Sequence, residues 1–237
     1  KRQKQNMRGI LFLLFIVCSA CGEKQYDLTV KGRVKGLKKG TLYLKKASDS
    51  IIISVDSLEI NGNSEFELHS NLESPEVFFL YLDKNSNDDD KIQFFADNGI
   101  TEINTTLQNF AFDAKINGSK QQKTLEEYLD IISRFNNSNL DLIKENFEAK
   151  ISGDTLKLDS IQKVHGNFIK RKYLYTVNFA INNKDSEVAP YLALTEIYDA
   201  KVKLLDTINN SLTPKVKASK YGKALQAYIE NIKADTK

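Results

Sequence analysis

From Tyr26 to Ile116, apolar side chains alternate with polar ones at every second position. Successive side chains of a strand point to opposite faces of the sheet, so this alternation is typical of half-buried antiparallel strands. Turn-forming Gly, Asn, Asp and Pro residues separate the runs. The pattern predicts about eight strands in a β-sandwich or an open barrel. The apolar positions of these strands are Leu28, Val30 and Val34; Leu42 and Leu44; Ile51, Ile53 and Val55; Phe66 and Leu68; Val77, Phe79 and Tyr81; Ile92, Phe94 and Ala96; Ile100 to Leu107; and Phe112, Ala114 and Ile116.

After Ser119 the apolar period lengthens to three or four residues, which is the spacing of one face of an α-helix. Gly153-Asp154 breaks this pattern, because Gly ends helices and Asp caps the next one. We expect a compact bundle of four or five helices, so the fold class is α+β, with a β-domain at residues 26–118 and a helical domain at 119–237. Before the break, one apolar face holds Leu125, Tyr128, Leu129, Ile132 and Phe135, and another holds Leu140, Ile143, Phe147 and Ile151. The later predicted helices run from Thr155 to about Ile181, from Asp185 to Ala200, from Lys201 to Ile208 and from Lys220 to Lys233.

The start of the chain fits neither pattern. Arg8 precedes an apolar run from Ile10 to Val17, which is far shorter than the roughly 20 residues that a membrane-spanning helix needs. A basic start followed by a short apolar run is typical of a secretory signal peptide. Ser19 and Ala20 before Cys21 resemble the lipobox of bacterial lipoproteins, in which the cysteine is diacylated and becomes the mature N-terminus.

This resemblance implies an address and an anchor. Residues 1–20 are removed, translation starts at Met7, Cys21 carries acyl chains such as palmitate, and residues 21–25 tether the folded part to a membrane. Two acyl chains anchor firmly, since each buried CH₂ contributes about 0.8 kcal/mol. The residues after Cys21 lack the dense acidic run that resembles a surface-export signal. We therefore expect an outer-membrane lipoprotein that faces the periplasm, with surface display as the alternative.

Removal of the leader changes the charge of the chain. Residues 1–20 carry four of the 34 basic residues and none of the 31 acidic ones, so the remainder has a net charge of about −1. This balance gives no reason to expect nucleic-acid binding or electrostatic attachment to lipid. The basic run Lys170-Arg171-Lys172 is interpreted as a solvated helix face.

The residues that usually carry catalysis are scarce. The two cysteines are Cys18, in the leader, and Cys21, so residues 22–237 hold no disulfide, thiolate nucleophile or cysteine metal site. His69 and His165 lie in different predicted domains, and the spacing indicates no acid or serine partner for either. We expect His165 to be partly buried on an apolar helix face. We predict no catalytic residue, no cofactor and no metal site.

One loop resembles the start of a calcium site. Asp83-x-Asn85-x-Asn87 has the spacing of the first ligands of a calcium-binding loop. Asp88 then occupies the position of the turn glycine, and Phe94 stands where a bidentate Glu is required. A solvated hairpin loop is the favoured interpretation, and calcium binding is the alternative.

Several short motifs together resemble a known family. The motifs are Leu28-x-Val30-x-Gly32-x-Val34, Leu42-Tyr43-Leu44, Asp56-Ser57, Asn61-Gly62, Phe66, Asn98-Gly99, Asn117-Gly118-Ser119, Ser186 to Tyr191 and Tyr221 to Leu225. With them the chain looks like a domain of unknown function that forms the N-terminal β-domain of Bacteroidota lipoproteins and commonly precedes a thioredoxin-like domain of the TlpA/ResA type. This chain stops where that domain would begin, so the resemblance does not carry over the oxidoreductase activity.

A repeated tripeptide suggests a covalent modification. Asp followed by Ser or Thr and then an aliphatic residue resembles the O-glycosylation sequon of exported Bacteroidota proteins. The alternative is that these Asp-Ser and Asp-Thr pairs form turns and helix starts. The candidate acceptors are Ser50, Ser57, Thr155, Ser160 and Thr207.

Three functions are compatible with these features. The first is a lipid-anchored, non-enzymatic module whose β-domain binds a partner or ligand and whose helices serve assembly. The second is an accessory or truncated part of a thiol-disulfide oxidoreductase that works with a separate thioredoxin-like protein. The third is an enzyme whose site gathers His69 or His165 with carboxylates of perturbed pKa.

Overall fold

The computed structural model describes residues 26–48, 51–83 and 91–235. Within these residues eight strands come first and six helices follow, so the predicted α+β class is confirmed. The strands are β1 (Leu28–Lys35), β2 (Lys39–Ser48), β3 (Ile51–Asn61), β4 (Glu65–Ser70), β5 (Glu76–Leu82), β6 (Lys91–Ala96), β7 (Gly99–Thr106) and β8 (Lys115–Asn117). The helices are α1 (Lys120–Ser152), α2 (Thr155–Asn182), α3 (Val188–Thr195), α4 (Val202–Ser211), α5 (Pro214–Lys217) and α6 (Lys220–Asp235).

The strands form two open four-stranded sheets, in the orders β4-β1-β7-β8 and β3-β2-β5-β6. The architecture is the predicted sandwich and not a closed barrel. One pair departs from the antiparallel prediction, because β1 and β7 run parallel, with Leu28 opposite Gly99 and Lys35 opposite Thr106. Alternation of apolar and polar residues determines which face of a strand is buried, but it does not determine the direction of a neighbour that lies far away in the chain.

The core of the sandwich lies between the two sheets. Its members come from alternate positions along the strands, as expected for strands with one buried face. In β5 they are Phe78, Leu80 and Leu82. The apolar face predicted for this strand, Val77, Phe79 and Tyr81, was therefore wrong, because Val77 and Phe79 pack against helices on the outer face of the sheet. Phe78 of β5 and Phe94 of β6 stack there, with ring centroids 6.1 Å apart. The buried core residues are Leu28, Val30, Val34, Leu37, Leu42, Leu44, Ile60, Phe66, Leu68, Leu72, Phe78, Leu80, Leu82, Ile92, Phe94, Ala96, Ile103 and Phe110.

The last predicted strand is shorter than expected. Residues 108–113 form a turn, and β8 begins only at Lys115. Phe112 therefore points to solvent with 92% of its surface exposed, and its expected inward position was wrong. A turn places side chains without a period of two, so the apparent alternation through Phe112 had no structural meaning.

The helix boundaries follow local capping chemistry. Ser119 begins α1, and its hydroxyl accepts the Gln122 N–H at 3.0 Å. Gly153 ends α1 in the left-handed conformation with φ 70°. Asp154 then caps α2 by accepting the Lys157 N–H at 2.9 Å, so the predicted break is confirmed. The sixth helix, beyond the four or five expected, is α5, a single turn that is too short to produce an apolar period.

The helices are less compact than a bundle. Helices α3 to α6 surround the C-terminal part of α2, where Val177 and Ala180 are buried among them. Residues 136–170, the far halves of α1 and α2, contribute to none of the three apolar clusters of the described structure. These halves form an antiparallel two-helix arm, because Tyr128 of α1 contacts Thr176 of α2 and Phe135 contacts Phe168. Helix α1 is about 50 Å long at 1.5 Å per residue. No helix of the described residues is long and apolar enough to cross a membrane.

Candidate interaction surface

The arm exposes a row of large apolar side chains along α1. Leu140, Ile143, Phe147 and Ile151 are 63%, 55%, 65% and 73% exposed. Their spacing of three, four and four residues places them on one face of the helix. We call these four residues the apolar stripe. The sequence predicted that they share a face, but the expected burial of that face in a bundle was wrong.

The apolar stripe lies beside the contact between α1 and α2. Where the arm begins, Phe135 and Phe168 pack with ring centroids 5.6 Å apart. Farther along the arm, a groove of about 480 Å³ is bordered by Ile143 and by His165 of α2. Asn139 and Asn146 are half-buried in the arm, and its fully buried apolar residues are Ala149 of α1 and Ile161 of α2, so the arm has a small core of its own. The face that bears the apolar stripe has no covering element in the described residues.

Aromatic side chains hold the sandwich and the helices together. Phe95 of β6 is fully buried, and its ring meets the rings of Tyr191 in α3 and Tyr221 in α6 at 5.5 and 5.7 Å. The Tyr221 hydroxyl accepts the Val77 N–H of β5 at 3.0 Å. Burial raises the pKa of both tyrosines, so their hydroxyls stay neutral. The outer face of one sheet is thus covered by helices.

The start of α1 is attached to the edge strand β6 by hydrogen bonds. The Ser119 hydroxyl donates to the Phe95 carbonyl oxygen at 2.6 Å. The Phe95 N–H donates to Gln122 Oε1 at 2.8 Å. These contacts satisfy backbone groups of an edge strand that would otherwise be open to pairing. They also set the direction in which the arm leaves the sandwich.

A buried carboxylate makes a second attachment. Glu76 of β5 is 4% exposed and accepts a hydrogen bond from Lys46 Nζ of β2 at 2.8 Å. Lys220 of α6 pairs with the same carboxylate and donates to the Ala47 carbonyl oxygen at 2.7 Å. Removing one partner from a buried ion pair leaves an uncompensated charge, which is costly. The Glu76–Lys220 ion pair therefore fixes where α6 contacts the sandwich.

Residues 28–125 match the family model of a domain of unknown function, DUF4369. The expected resemblance to a domain of unknown function is confirmed for this part of the chain. The match covers less than half of the 237 residues. No curated protein matches the chain.

The DUF4369 match extends beyond the strands. It runs past Asn117, the end of β8, and reaches Leu125 in α1. The residues it adds include Ser119 and Gln122, which hold α1 against β6. Leu125 is buried in the apolar cluster that joins β5 and β6 to the helices. The start of α1 therefore lies within the residues that match DUF4369, just past the predicted boundary at residue 118. The division at that residue stays a prediction.

A second buried carboxyl lies where α1 meets α3. Glu187 is 2% exposed and accepts a hydrogen bond from Gln121 Nε2 at 2.7 Å. The Ser186 hydroxyl donates to Gln121 Oε1 at 2.5 Å. Burial raises the pKa of Glu187 above its ordinary value of 4.5. Sequence reasoning missed this group, because a Glu three residues before a proline carries no sign of burial.

The two histidines lie far from each other, one in each half. His69 Nε2 lies 3.1 Å from Glu67 Oε1, and its Nδ1 lies 3.9 Å from Asp56 Oδ2. His165 is exposed on the arm, so its expected partial burial was wrong, because the arm projects beyond the other helices. Residues 26–48, 51–83 and 91–235 contain no group of three His, Cys, Asp or Glu side chains that could hold a metal ion.

Two of the remaining candidates fall outside the described residues. Asp83 follows β5 directly as a turn residue, and residues 84–90 of the calcium-like loop lie outside the described residues. The lipidation residue Cys21 and the leader also lie outside the described residues. Calcium binding and lipidation both stay predictions.

The candidate glycosylation residues can be placed in part. The preceding Asp has a structural role in three of the motifs: Asp56 Oδ2 accepts the His69 N–H at 2.7 Å, Asp154 caps α2, and Asp206 Oδ1 accepts from Lys233 Nζ at 2.7 Å. Ser50 lies outside the described residues, and glycosylation stays a prediction at all five sites. The exposed candidates are Ser57, Thr155, Ser160 and Thr207.

Proposed function

We propose that this chain is a lipid-anchored protein of the cell envelope that serves as a binding and assembly module, without catalysis of its own. The apolar stripe on α1 carries the proposal. Contiguous apolar patches of more than a few hundred Å² are rare on monomeric proteins and mark sites of association. Here the patch lies on an arm whose base is attached to the DUF4369 domain through Ser119 and Gln122.

The anchor belongs to the same proposal. Acylation of Cys21 would hold the protein at a membrane through residues 21–25, with the outer membrane and its periplasmic face as the proposed location. The sandwich then acts as the base and the arm as the contact surface. The proposed function requires neither nucleic acid nor a cofactor.

The alternative, an accessory or truncated part of a thiol-disulfide oxidoreductase, depends on the segments Ser186 to Tyr191 and Tyr221 to Leu225. Tyr191 and Tyr221 pack on Phe95 and on each other, with their ring centroids 5.2 Å apart. Packing against the sandwich therefore explains why these segments contain Tyr191 and Tyr221. The assembly function is the one that the exposed surface supports.

We expect the anchor to depend on Cys21 alone. Cells that express the full chain are fed an alkyne analogue of palmitate, and the immunoprecipitated protein is tested for label. Cys21→Ser should abolish the label, because the thiol is the site of acylation. Cys18→Ser is the matched control, since it removes the only other cysteine and should keep the label. Label that persists in Cys21→Ser would contradict the proposed anchor.

The assembly function is tested by a photoreactive amino acid placed at residue 147 of the full chain in living cells. Because Phe147 is 65% exposed on the apolar stripe, we expect a discrete crosslinked species with a mass above that of the single chain. A second substitution, Ile143→Lys, should remove this species by placing a charge in the contact. The same probe at Phe112, which is 92% exposed, should give none. If residue 147 yields no adduct, the assembly function is wrong.

A further inference from the structure

The apolar stripe has the size of half an interface between two proteins. Its four residues together expose the equivalent of about two and a half large side chains, on the order of 500 Å² of apolar surface. Two such faces in contact would bury roughly 1,000 Å², to which the flanking polar residues add, and specific complexes begin near 1,200 Å². A pair of identical stripes supplies most of the smallest area of a specific complex, and the flanking polar residues supply the rest.

The order of the apolar residues suits an antiparallel copy of the same helix. In an antiparallel pair centred near residue 145, Ile143 of one copy lies opposite Phe147 of the other, and the reverse contact forms at the same time. Leu140 then lies near the Ile151 of the other copy. Every large apolar residue of the apolar stripe thus meets an apolar residue, with spacing of three and four as in helix pairs that pack side by side.

The charges beside the apolar stripe favour the same arrangement. Lys144 and Glu148 are four residues apart and flank the apolar stripe on one edge of α1. Neither takes part in an ion pair within the part of the chain that the structure describes. In an antiparallel pair this edge meets the same edge of the second copy, so Lys144 lies near the partner's Glu148 and the pair forms twice. A parallel pair would bring this edge to the opposite one, where Asn146 and Lys150 offer no carboxylate.

We propose that two copies of this chain pair through the apolar stripes of their α1 helices in antiparallel orientation. The proposal rests on the assembly function and names its partner, a second copy of the same chain. The two α1 helices form the contact, in which Ile143 and Phe147 are central. The two sandwiches lie at opposite ends of this contact, because each is attached to the first turn of its own α1.

The oligomeric state is the first test. The full lipidated chain, extracted in a mild detergent, is weighed by native mass spectrometry, and twice the monomer mass is expected. Phe147→Lys should weaken the dimer by about 30-fold in Kd or more, as for a central contact residue. Phe112→Lys, the same change at a more exposed Phe, should leave the dimer intact. Matching circular dichroism of the two variants shows that both have folded.

Charge reversal tests the orientation of the pair. Lys144→Glu or Glu148→Lys alone places like charges opposite each other in the antiparallel dimer, so each should raise Kd severalfold. The double variant restores two opposite pairs and should restore the dimer. The Kd of a non-specific apolar contact would not follow these charges. A double variant whose Kd is as high as those of the single variants would overturn the proposed pairing.

A distance measurement separates the two orientations. Asn137→Cys introduces a reactive cysteine into a mature chain whose Cys21 is acylated, and a spin label is attached there. In the antiparallel dimer the two labels lie about 24 Å apart along the helix axis, whereas a parallel dimer brings them side by side at about 10 Å. A monomer mass in native mass spectrometry would overturn the proposal, and so would a distance of about 10 Å between the two spin labels. A monomer whose residue 147 still crosslinks to another protein overturns the dimer alone and leaves the assembly function standing.

Discussion

Phe95→Ala is expected to lower the free energy of unfolding by about 3–5 kcal/mol, the range for removal of a buried aromatic side chain. The Phe95 side chain is fully buried and packs on the rings of Tyr191 and Tyr221. Those rings are held in turn by other contacts: the Tyr221 hydroxyl accepts from Val77, and the Tyr191 hydroxyl accepts from Gln93 at 3.1 Å. They cannot move in to fill the space, so a cavity remains between the sandwich and the helices.

Urea denaturation followed by circular dichroism measures this loss. Phe112→Ala is the matched control, because Phe112 is 92% exposed and its removal should change the free energy of unfolding by less than about 0.5 kcal/mol. If Phe95→Ala were as mild as this control, the sandwich and the helices would not stabilise each other through Phe95, and the junction described above would be wrong.

Gly222→Ala is expected to destabilise the protein by about 1–3 kcal/mol, the usual cost of overpacking. In an exposed helix the same change is favourable by up to about 1 kcal/mol, because Ala loses less backbone entropy than Gly. At Gly222 the added Cβ would overlap the Val216 carbonyl oxygen and lie 2.8 Å from the Lys217 carbonyl oxygen. Both atoms belong to the backbone of α5, so α5 and α6 would have to separate.

Gly166→Ala provides the control of opposite sign. Gly166 lies within α2, and a Cβ built there meets no atom within 4 Å. This variant should gain about 0.5–1 kcal/mol in the free energy of unfolding. Thermal denaturation of the two variants in parallel checks both values. A gain in stability at both glycines would show that α5 and α6 are not in close contact.

The sequence predicted part of the candidate interaction surface. The spacing of Leu140, Ile143, Phe147 and Ile151 predicted one apolar helix face. Whether such a face is buried depends on what the rest of the chain places against it, and periodicity carries no information on that. For the same reason the sequence could not predict that His165 is exposed on the arm. It also could not predict that Glu187 is buried, because its partner Gln121 lies in α1, far away in the chain.

The sequence by itself determined the local structure of this protein. Alternation and turn residues specified the strands of the sandwich, and Ser119, Gly153 and Asp154 specified where α1 ends and α2 begins, because these signals act between residues that are close in the chain. The tertiary structure alone decided the parallel pairing of β1 with β7, the burial of Phe95 under the helices and the exposure of the apolar stripe. Each of these depends on contacts between segments far apart in the chain, and such contacts leave no periodic trace in the residues that make them.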